Sequence, residues 1–224
     1  VVDVSPYLDK LHAKGKKILF EGAQGTMLDI IYGSYPFVTS SHPNPGGLIS
    51  GTGFYPKQLE VVGIMKAYTT RVGNGPFPTE LVDEFGENLR EKGAEYGATT
   101  GRPRRCGWLD LVVVKHAIRI NGLSKIAMTK LDILSGLGEL KVCTHYMLNG
   151  ERINTIPADL RVMESCTPQY KVFDGWKKDI TKARKMSDLP KGAREYVTFI
   201  ENELKVPVEF IGVGPEREEL IINS

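Results

Sequence analysis

The chain is poor in the residues that build metal centres and disulfide frameworks. Among its 224 residues are three cysteines, Cys106, Cys143 and Cys166, and four histidines, His12, His42, His116 and His145. The cysteines are odd in number and far apart, and no CxxC occurs. That argues against zinc and against a disulfide scaffold, and for a reducing compartment, the cytosol. Long apolar runs are also missing. Leu111–Val114, with Leu109 nearby, falls far short of the roughly 20 residues of a membrane helix, and no signal-peptide pattern is visible. Charge of one sign is missing too: 29 Lys and Arg against 27 Asp and Glu leave a net charge of +2. No global field therefore calls for nucleic acid or a membrane, and any positive patch must be local. No GxxxxGK[ST] phosphate loop is present. What remains is an ordinary globular composition, 41% hydrophobic and 25% charged, in a chain long enough to bury a core without staples. It opens on Val1 and runs at once into an amphipathic segment, as the interior of a longer protein would.

The order of elements reads as α/β. Ser5-Pro6 suits a helix start, Leu8, Leu11 and His12 share a face, and Gly15 can end the helix. Lys16–Gly22 reads as a short buried strand, so GAQGT (22–26) becomes a strand-end loop. Residues 33–53 read as a long irregular loop, and loops of that length in compact domains are usually functional or disordered; Tyr35, Phe37 and Val38 argue against disorder. Val61–Val72 is a strand candidate, followed by the turn-rich GNGPFP (73–78). Leu81–Lys92 reads as an exposed helix and Leu109–Ile120 as a second helix ended by Asn121-Gly122. Ser124–Thr129 is a strand. Glu139–Leu148 and Arg152–Ile156 alternate about Asn149-Gly150, a hairpin beside the sheet. Gln169–Phe173 is a further strand candidate, and residues 174–188 resist assignment. Gly192–Leu204 is an amphipathic helix, Val206–Val213 a last strand, and Leu220–Ile222 a closing apolar segment. The expectation is one α/β domain portion over 1–224: a predominantly parallel sheet flanked by helices, with a small β-hairpin insertion.

The stretch with most chemistry is ATTGRPRRCGWLD (98–110). Arg102, Arg104 and Arg105 can clamp phosphates or carboxylates bidentately. Thr99 and Thr100 add hydroxyls, and Gly101 lets the chain bend around an anion. A solvated basic loop is the plainer alternative. Gln24 offers an amide at a strand end, where ligands gather in open α/β sheets, or is a turn residue in water. Thr39, Ser40 and Ser41 could hold a phosphate, or make local turns. In Thr129-Lys130-Leu131-Asp132 the aspartate can accept from the ring nitrogen and exocyclic amine of guanine together. Adenine has no such donor pair, so the site would discriminate, and the lysine stem can lie along the base; a surface ion pair is the alternative. Gly212-Val213-Gly214 follows a strand, where glycines permit close approach to a base or make a tight turn.

Taken together, FEGAQGTMLDI, YPFVTSS, RVGNGPFPTEL, EYGATTGRPRRCGWLD, TKLD and GVGPER resemble the adenylosuccinate synthetase family in order and rough spacing, over almost the whole chain. The resemblance implies the C-terminal half of such an enzyme, related in fold to P-loop GTPases, that joins IMP and L-aspartate at the expense of GTP with magnesium. It implies that Gln24, Thr39 and Arg102 contact IMP. Ala98, Thr99, Thr100, Gly101, Arg102 and Arg104 would form the aspartate loop, with Arg104 also reaching GTP. Lys130, Leu131, Asp132, Gly212, Val213 and Gly214 would hold guanine. The resemblance puts the glycine-rich phosphate loop, the catalytic aspartate and histidine, and most of the magnesium site upstream of Val1, so that no catalytic residue or metal ligand is expected in these 224 residues and the fragment alone would be inactive. A cytoplasmic homodimer is implied, without nucleic-acid or membrane partners. Two departures stand out. Gly212 and Val213 occupy positions where the family usually carries serine or threonine, which leaves backbone contacts to guanine. Pro103 replaces a basic or small residue and stiffens the loop.

Two other readings exist. A guanine-nucleotide-binding regulatory module would need TKLD but not the arginine loop. An RNA-binding domain would use the three arginines but lacks interleaved stacking aromatics.

Overall fold

A computed structural model describes residues 1–98 and 101–223. The central sheet has the order β1-β5-β9-β10, formed by β1 (Val62–Lys66), β5 (Lys125–Thr129), β9 (Val208–Gly212) and β10 (Leu220–Ile222). β1, β5 and β9 run parallel, and β10 returns antiparallel on β9. The closing apolar segment is therefore an edge strand, with Ile221 fully buried.

The helices follow from their apolar spacing and caps. Helix α6 (Lys191–Leu204) buries Ala193, Tyr196, Val197, Ile200 and Leu204, the i, i+3, i+4, i+7 stripe of a core-facing helix. Helix α4 (Leu111–Asn121) starts where Asp110 accepts from the N–H groups of Val112 and Val113 and ends on Gly122 at φ 60°. These are the N-cap and left-handed C-terminal glycine expected of a helix. Helix α3 (Glu84–Lys92) is capped by Asp83.

Several expectations are corrected. Helix α1 (Val4–Ala13) begins before Ser5, whose hydroxyl donates to the Gly53 carbonyl at 2.7 Å instead of capping; Gly15, at φ 69°, does follow its end. Residues 16–22 form no strand, and Leu19 is 92% exposed. Phe20 stacks on Phe54, their centroids 6.2 Å apart, so the run's largest side chain is held by a ring contact while its backbone joins no ladder. The 33–53 stretch is not wholly irregular: Asn44 caps α2 (Pro45–Thr52), with Pro45 in the first turn. The segment 61–72 is two strands, because the chain leaves the central sheet at buried Ala67 and Tyr68 and continues as β2 (Thr69–Arg71), paired with β3 (Arg105–Gly107). Tyr196 fastens this corner from α6, its hydroxyl donating to the Ala67 carbonyl at 2.6 Å.

The hairpin is present. Asn149 and Gly150 both have positive φ, 51° and 84°, as a two-residue primed turn requires. It joins β6 (Glu139–Leu148) to β7 (Glu151–Ile153). It belongs to a larger second sheet, since β6 also pairs parallel with β4 (Leu109–Asp110) and antiparallel with β8 (Thr167–Asp174). The short helix α5 (Leu160–Glu164) precedes β8. Residues 174–188 stay irregular apart from one 3-10 turn at Met186–Asp188, yet Trp176 and Ile180 are buried among them. No helix among the described residues is long and apolar enough to cross a membrane.

Candidate functional site

The three parallel strands end side by side, with Lys66 opposite Thr129 and Met128 opposite Ile211. Carboxyl strand ends in such sheets face a crevice in which ligands bind. Immediately past β5, Lys130 takes a left-handed φ of 61°, and the chain turns sharply out of the strand. Leu131, fully buried, anchors the turn, and its N–H donates to the Gly212 carbonyl at 3.2 Å. TKLD and GVG, 80 residues apart in sequence, are thereby joined. Val213 is also fully buried and its N–H donates to the Glu219 carbonyl at 2.9 Å. Gly214 lies against the Glu219 side chain, whose carboxylate a Cβ at 214 would meet at 2.1 Å and displace. Asp132 sits at the rim of this junction, half-buried. Burial pushes its carboxyl above the usual range and Glu219 adds to the rise, while Lys130 and Lys92 oppose it. A carboxylate short of solvent and of close cations gains from a neutral pair of N–H donors.

Behind this rim lies a charged hub that the sequence reading did not single out. Glu95 is fully buried. Its Oε2 accepts from Lys66 Nζ and from Arg104 Nη1, both at 2.7 Å. Its Oε1 accepts from the Tyr68 hydroxyl at 2.6 Å and from Lys130 Nζ at 3.0 Å. Burial alone would raise the carboxyl, but these four bonds outweigh it and hold it at about 2. The reciprocal effects agree in sense. Burial pushes the Tyr68 hydroxyl up, with Glu95 adding to it. Burial lowers Lys66 although Glu95 supports its charge. Three cations face one carboxylate, so the cluster holds two positive charges in excess.

The arginine loop stands on the same residue. The Arg104 N–H donates to the Glu95 carbonyl at 2.9 Å, Gly97 N–H to Arg102 O at 2.8 Å, and Gly101 N–H to Gly97 O at 2.8 Å. Arg90 closes the base by donating from Nε to the Arg104 carbonyl at 2.9 Å. Ala98 and Gly101 are exposed at the loop tip, Gly101 at φ 63°. Thr99 and Thr100 lie outside the described residues. Arg105 is not a free clamp. Its guanidinium pairs with Glu80 and donates to the Gly73 and Gly75 carbonyls, which ties the GNGPFP loop to β3.

Arg102 reaches a separate cleft of about 290 Å³, lined also by Leu28, Phe37, Val38 and Asn74. Thr39 borders this segment. Its N–H donates to Leu28 O at 2.8 Å, and its hydroxyl lies 3.3 Å from that of Ser41. The loop is shaped by Asp29, fully buried, which accepts from the N–H groups of Ile31 and Tyr32 and from Asn44. Gln24 is exposed at φ 62° and shares no hydrogen bond with these groups among the described residues. The structure thus gathers Arg104 with Lys130, Leu131 with Gly212, and Arg102 with the 33–39 loop, and leaves Gln24 apart.

Fold and site together define an α/β protein in which cations and carboxylates gather at the ends of its parallel strands. The chain belongs to the adenylosuccinate synthetase family, whose model matches residues 1–221. It is 55% identical to an adenylosuccinate synthetase of Halothermothrix orenii over 99% of this chain and 52% of that protein. It is 56% identical to one of Caldicellulosiruptor bescii over 100% of this chain and 53% of that protein. It superposes with a TM-score of 0.97 and 44% identity on the fully ligated adenylosuccinate synthetase of Plasmodium falciparum, covering 100% of this chain and 54% of that one. The chain spans about half the length of the relatives it matches.

Proposed function

We propose that these residues form the substrate-gathering half of a GTP-dependent ligase that condenses IMP and L-aspartate to adenylosuccinate. The observation that carries this reading is the convergence on Glu95. It puts the arginine loop and the lysine of TKLD on the two oxygens of one carboxylate, an arrangement suited to a reaction that brings a nucleoside triphosphate and an amino-acid dicarboxylate together. The name of the family and the fully ligated state of the Plasmodium relative support it.

The roles follow from the chemistry of each group. Asp132 would accept the guanine ring N–H and amine together, with the Lys130 stem against the base and the backbone of Gly212, Val213 and Gly214 along its edge. Leu131 would keep the turn in place through its buried side chain. Ala98–Arg104 would clamp the aspartate carboxylates, with Thr99, Thr100 and Gly101 lending hydroxyls and N–H groups. Arg104 would also reach the GTP phosphates, where two positive charges in excess favour anions. Gln24, Thr39 and Arg102 would orient IMP. Transfer of the γ-phosphoryl group to the IMP 6-oxygen yields GDP. O6-phosphorylation releases the IMP N1 proton as the N1–C6 double bond forms; attack of the neutral aspartate amine on C6 then expels phosphate, and the amine nitrogen releases one further proton, so that the atoms balance.

Magnesium belongs to this reading as a cofactor for the phosphoryl transfer. Among the described residues no group of three His, Cys, Asp or Glu side chains can hold a metal ion, so the described residues supply no carboxylate or imidazole cage for it. A cytoplasmic homodimer is part of the same reading.

The test uses an enzyme of the relatives' full length that contains these residues. Adenylosuccinate formation, followed by absorbance, should require GTP, IMP and aspartate together. Guanine-nucleotide binding or hydrolysis that ignores aspartate at every concentration would instead identify a regulatory module.

A further inference from the structure

We infer that Glu95 is a positioning residue that sets the base-holding lysine and the anion-holding arginine against each other, so that the GTP and aspartate sites are tuned by one buried carboxylate. The inference rests on the ligase reading above and deepens it.

The geometry is that of a saturated carboxylate. Each oxygen accepts two bonds, Oε2 from Lys66 and Arg104, Oε1 from Tyr68 and Lys130. A carboxylate has about four lone-pair sites, so every one is used. Burial makes each bond consequential, because an uncompensated charge here would be costly. The partners come from three different elements: Lys66 and Tyr68 from the end of β1 and the corner after it, Lys130 from the turn after β5, and Arg104 from the loop base. Fixing all four relative to one atom pair fixes the distance between the two candidate binding edges.

Glu95 does not shape the loop backbone through its side chain. The loop base is pinned by main-chain bonds and by Arg90. Its carboxylate therefore acts on where the Arg104 and Lys130 side chains point. The four acceptor sites of the Glu95 side chain are taken by Lys66, Tyr68, Arg104 and Lys130, and Thr39 is not among them, which separates the Thr39 segment from this control.

The experiment compares Glu95→Gln with the parent enzyme of family length, measuring KM for each substrate and kcat. Glutamine keeps the size but turns an N–H₂ group toward one of the two donor pairs. KM for GTP and for aspartate should each rise about tenfold or more, the weight of a charge-assisted hydrogen bond, while KM for IMP stays within about twofold. In a Lys130→Met background the same change should raise KM for GTP by less than it does in the parent, since the part carried by the Glu95–Lys130 bond is already lost and only the part through Arg104 remains. If Glu95→Gln does not fold, Glu95→Asp retains the charge but withdraws it by one methylene. It should raise KM for GTP or aspartate and leave that for IMP unchanged. A loss of kcat with all three KM values intact, or an equal rise in all three, overturns the inference. A parent enzyme that fails to consume IMP with GTP and aspartate overturns the ligase reading itself, before any variant is compared.

Discussion

The N–H of Leu131 donates to the carbonyl of Gly212 at 3.2 Å. This one bond ties the turn after β5 to the end of β9. It holds the turn that carries Asp132 beside Gly212. Leu131, fully buried, cannot swing away. The edge that carries Asp132 is thus part of the sheet rather than of a loose loop, and under the proposed guanine-binding role such a rigid edge would discriminate by unmet hydrogen bonds.

Asp132→Asn should therefore change which base is used more than it changes the fold. The amide can accept one purine N–H but sets its own N–H₂ against the other donor, leaving a donor pair at a half-buried site. That costs about 1–3 kcal/mol, or roughly 10–100-fold in kcat/KM for GTP. Xanthosine triphosphate, with a carbonyl where guanine has its amine, should gain correspondingly. Steady-state kinetics with both nucleotides would decide. Equal losses for the two would mean that Asp132 does not face the base edge.

Gly212→Ser asks whether the missing hydroxyl matters. The φ of Gly212 is not in the left-handed region, and a Cβ would sit 3.5 Å from Thr129 Cα and 3.6 Å from Met128 O, ordinary contacts. Serine should fit with stability unchanged or raised by up to about 1 kcal/mol through the unfolded state. A new hydroxyl contact should lower KM for GTP by up to about tenfold. A fall in Tm of several degrees would show that the strand end is tighter than this geometry allows.

Much of this was legible in the chain. The strands at 125–129 and 208–212, the helices at 111–121 and 191–204, and the hairpin turn carry local signals: periodicity, caps, and a turn dipeptide that tolerates positive φ. The motif residues Lys130, Asp132, Gly212, Arg102 and Arg104 were equally visible, because their chemistry is written in contiguous runs. The role of Glu95 was not. Its partners lie between 9 and 35 residues away in the chain, and no spacing rule links a lone glutamate to cations on three elements. Residues 16–22 misled for the converse reason. An apolar run reads as a strand, but a strand exists only where a neighbour takes up its hydrogen bonds, and among the described residues no strand pairs with 16–22; Phe20 stacks instead on Phe54, far away in the chain. The segment 61–72 looked continuous since nothing local marks the corner at Ala67, which a tyrosine from α6 holds.

The hub also predicts the course of acid unfolding. The Glu95 carboxyl is held at about 2, below its ordinary value of 4.5. A depressed carboxyl stabilises the folded state fully above the unfolded value and loses that contribution as pH falls through the folded one. The difference is worth about 3 kcal/mol. Denaturant titrations of the parent and Glu95→Gln should therefore differ most from neutral pH down to about 4.5 and converge toward pH 2. A gap that stays constant over that range would mean the carboxylate is not charged through these bonds.

Asp110 predicts the opposite slope. It is almost fully buried, 1% exposed, and burial pushes its carboxyl up to about 6 even though Tyr146 and the N–H groups of Val112 and Val113 pull against it. The folded state then binds the proton more tightly than the unfolded one. Stability from this group is complete below the ordinary value of 3.8 and falls as pH rises through about 6, by about 3 kcal/mol in all. Asp110→Asn keeps an oxygen for the α4 N-terminus and can donate to the Tyr146 oxygen, with no charge to bury. The variant should match or exceed the parent in stability at pH 7.5 and lose the slope between pH 4 and 6. Asp110→Ala should instead lose about 2–4 kcal/mol, since it strips the cap and leaves the Tyr146 hydroxyl unpaired. Were Asp110→Asn as damaging as Asp110→Ala at pH 7.5, the charge itself would be what holds α4 to β6.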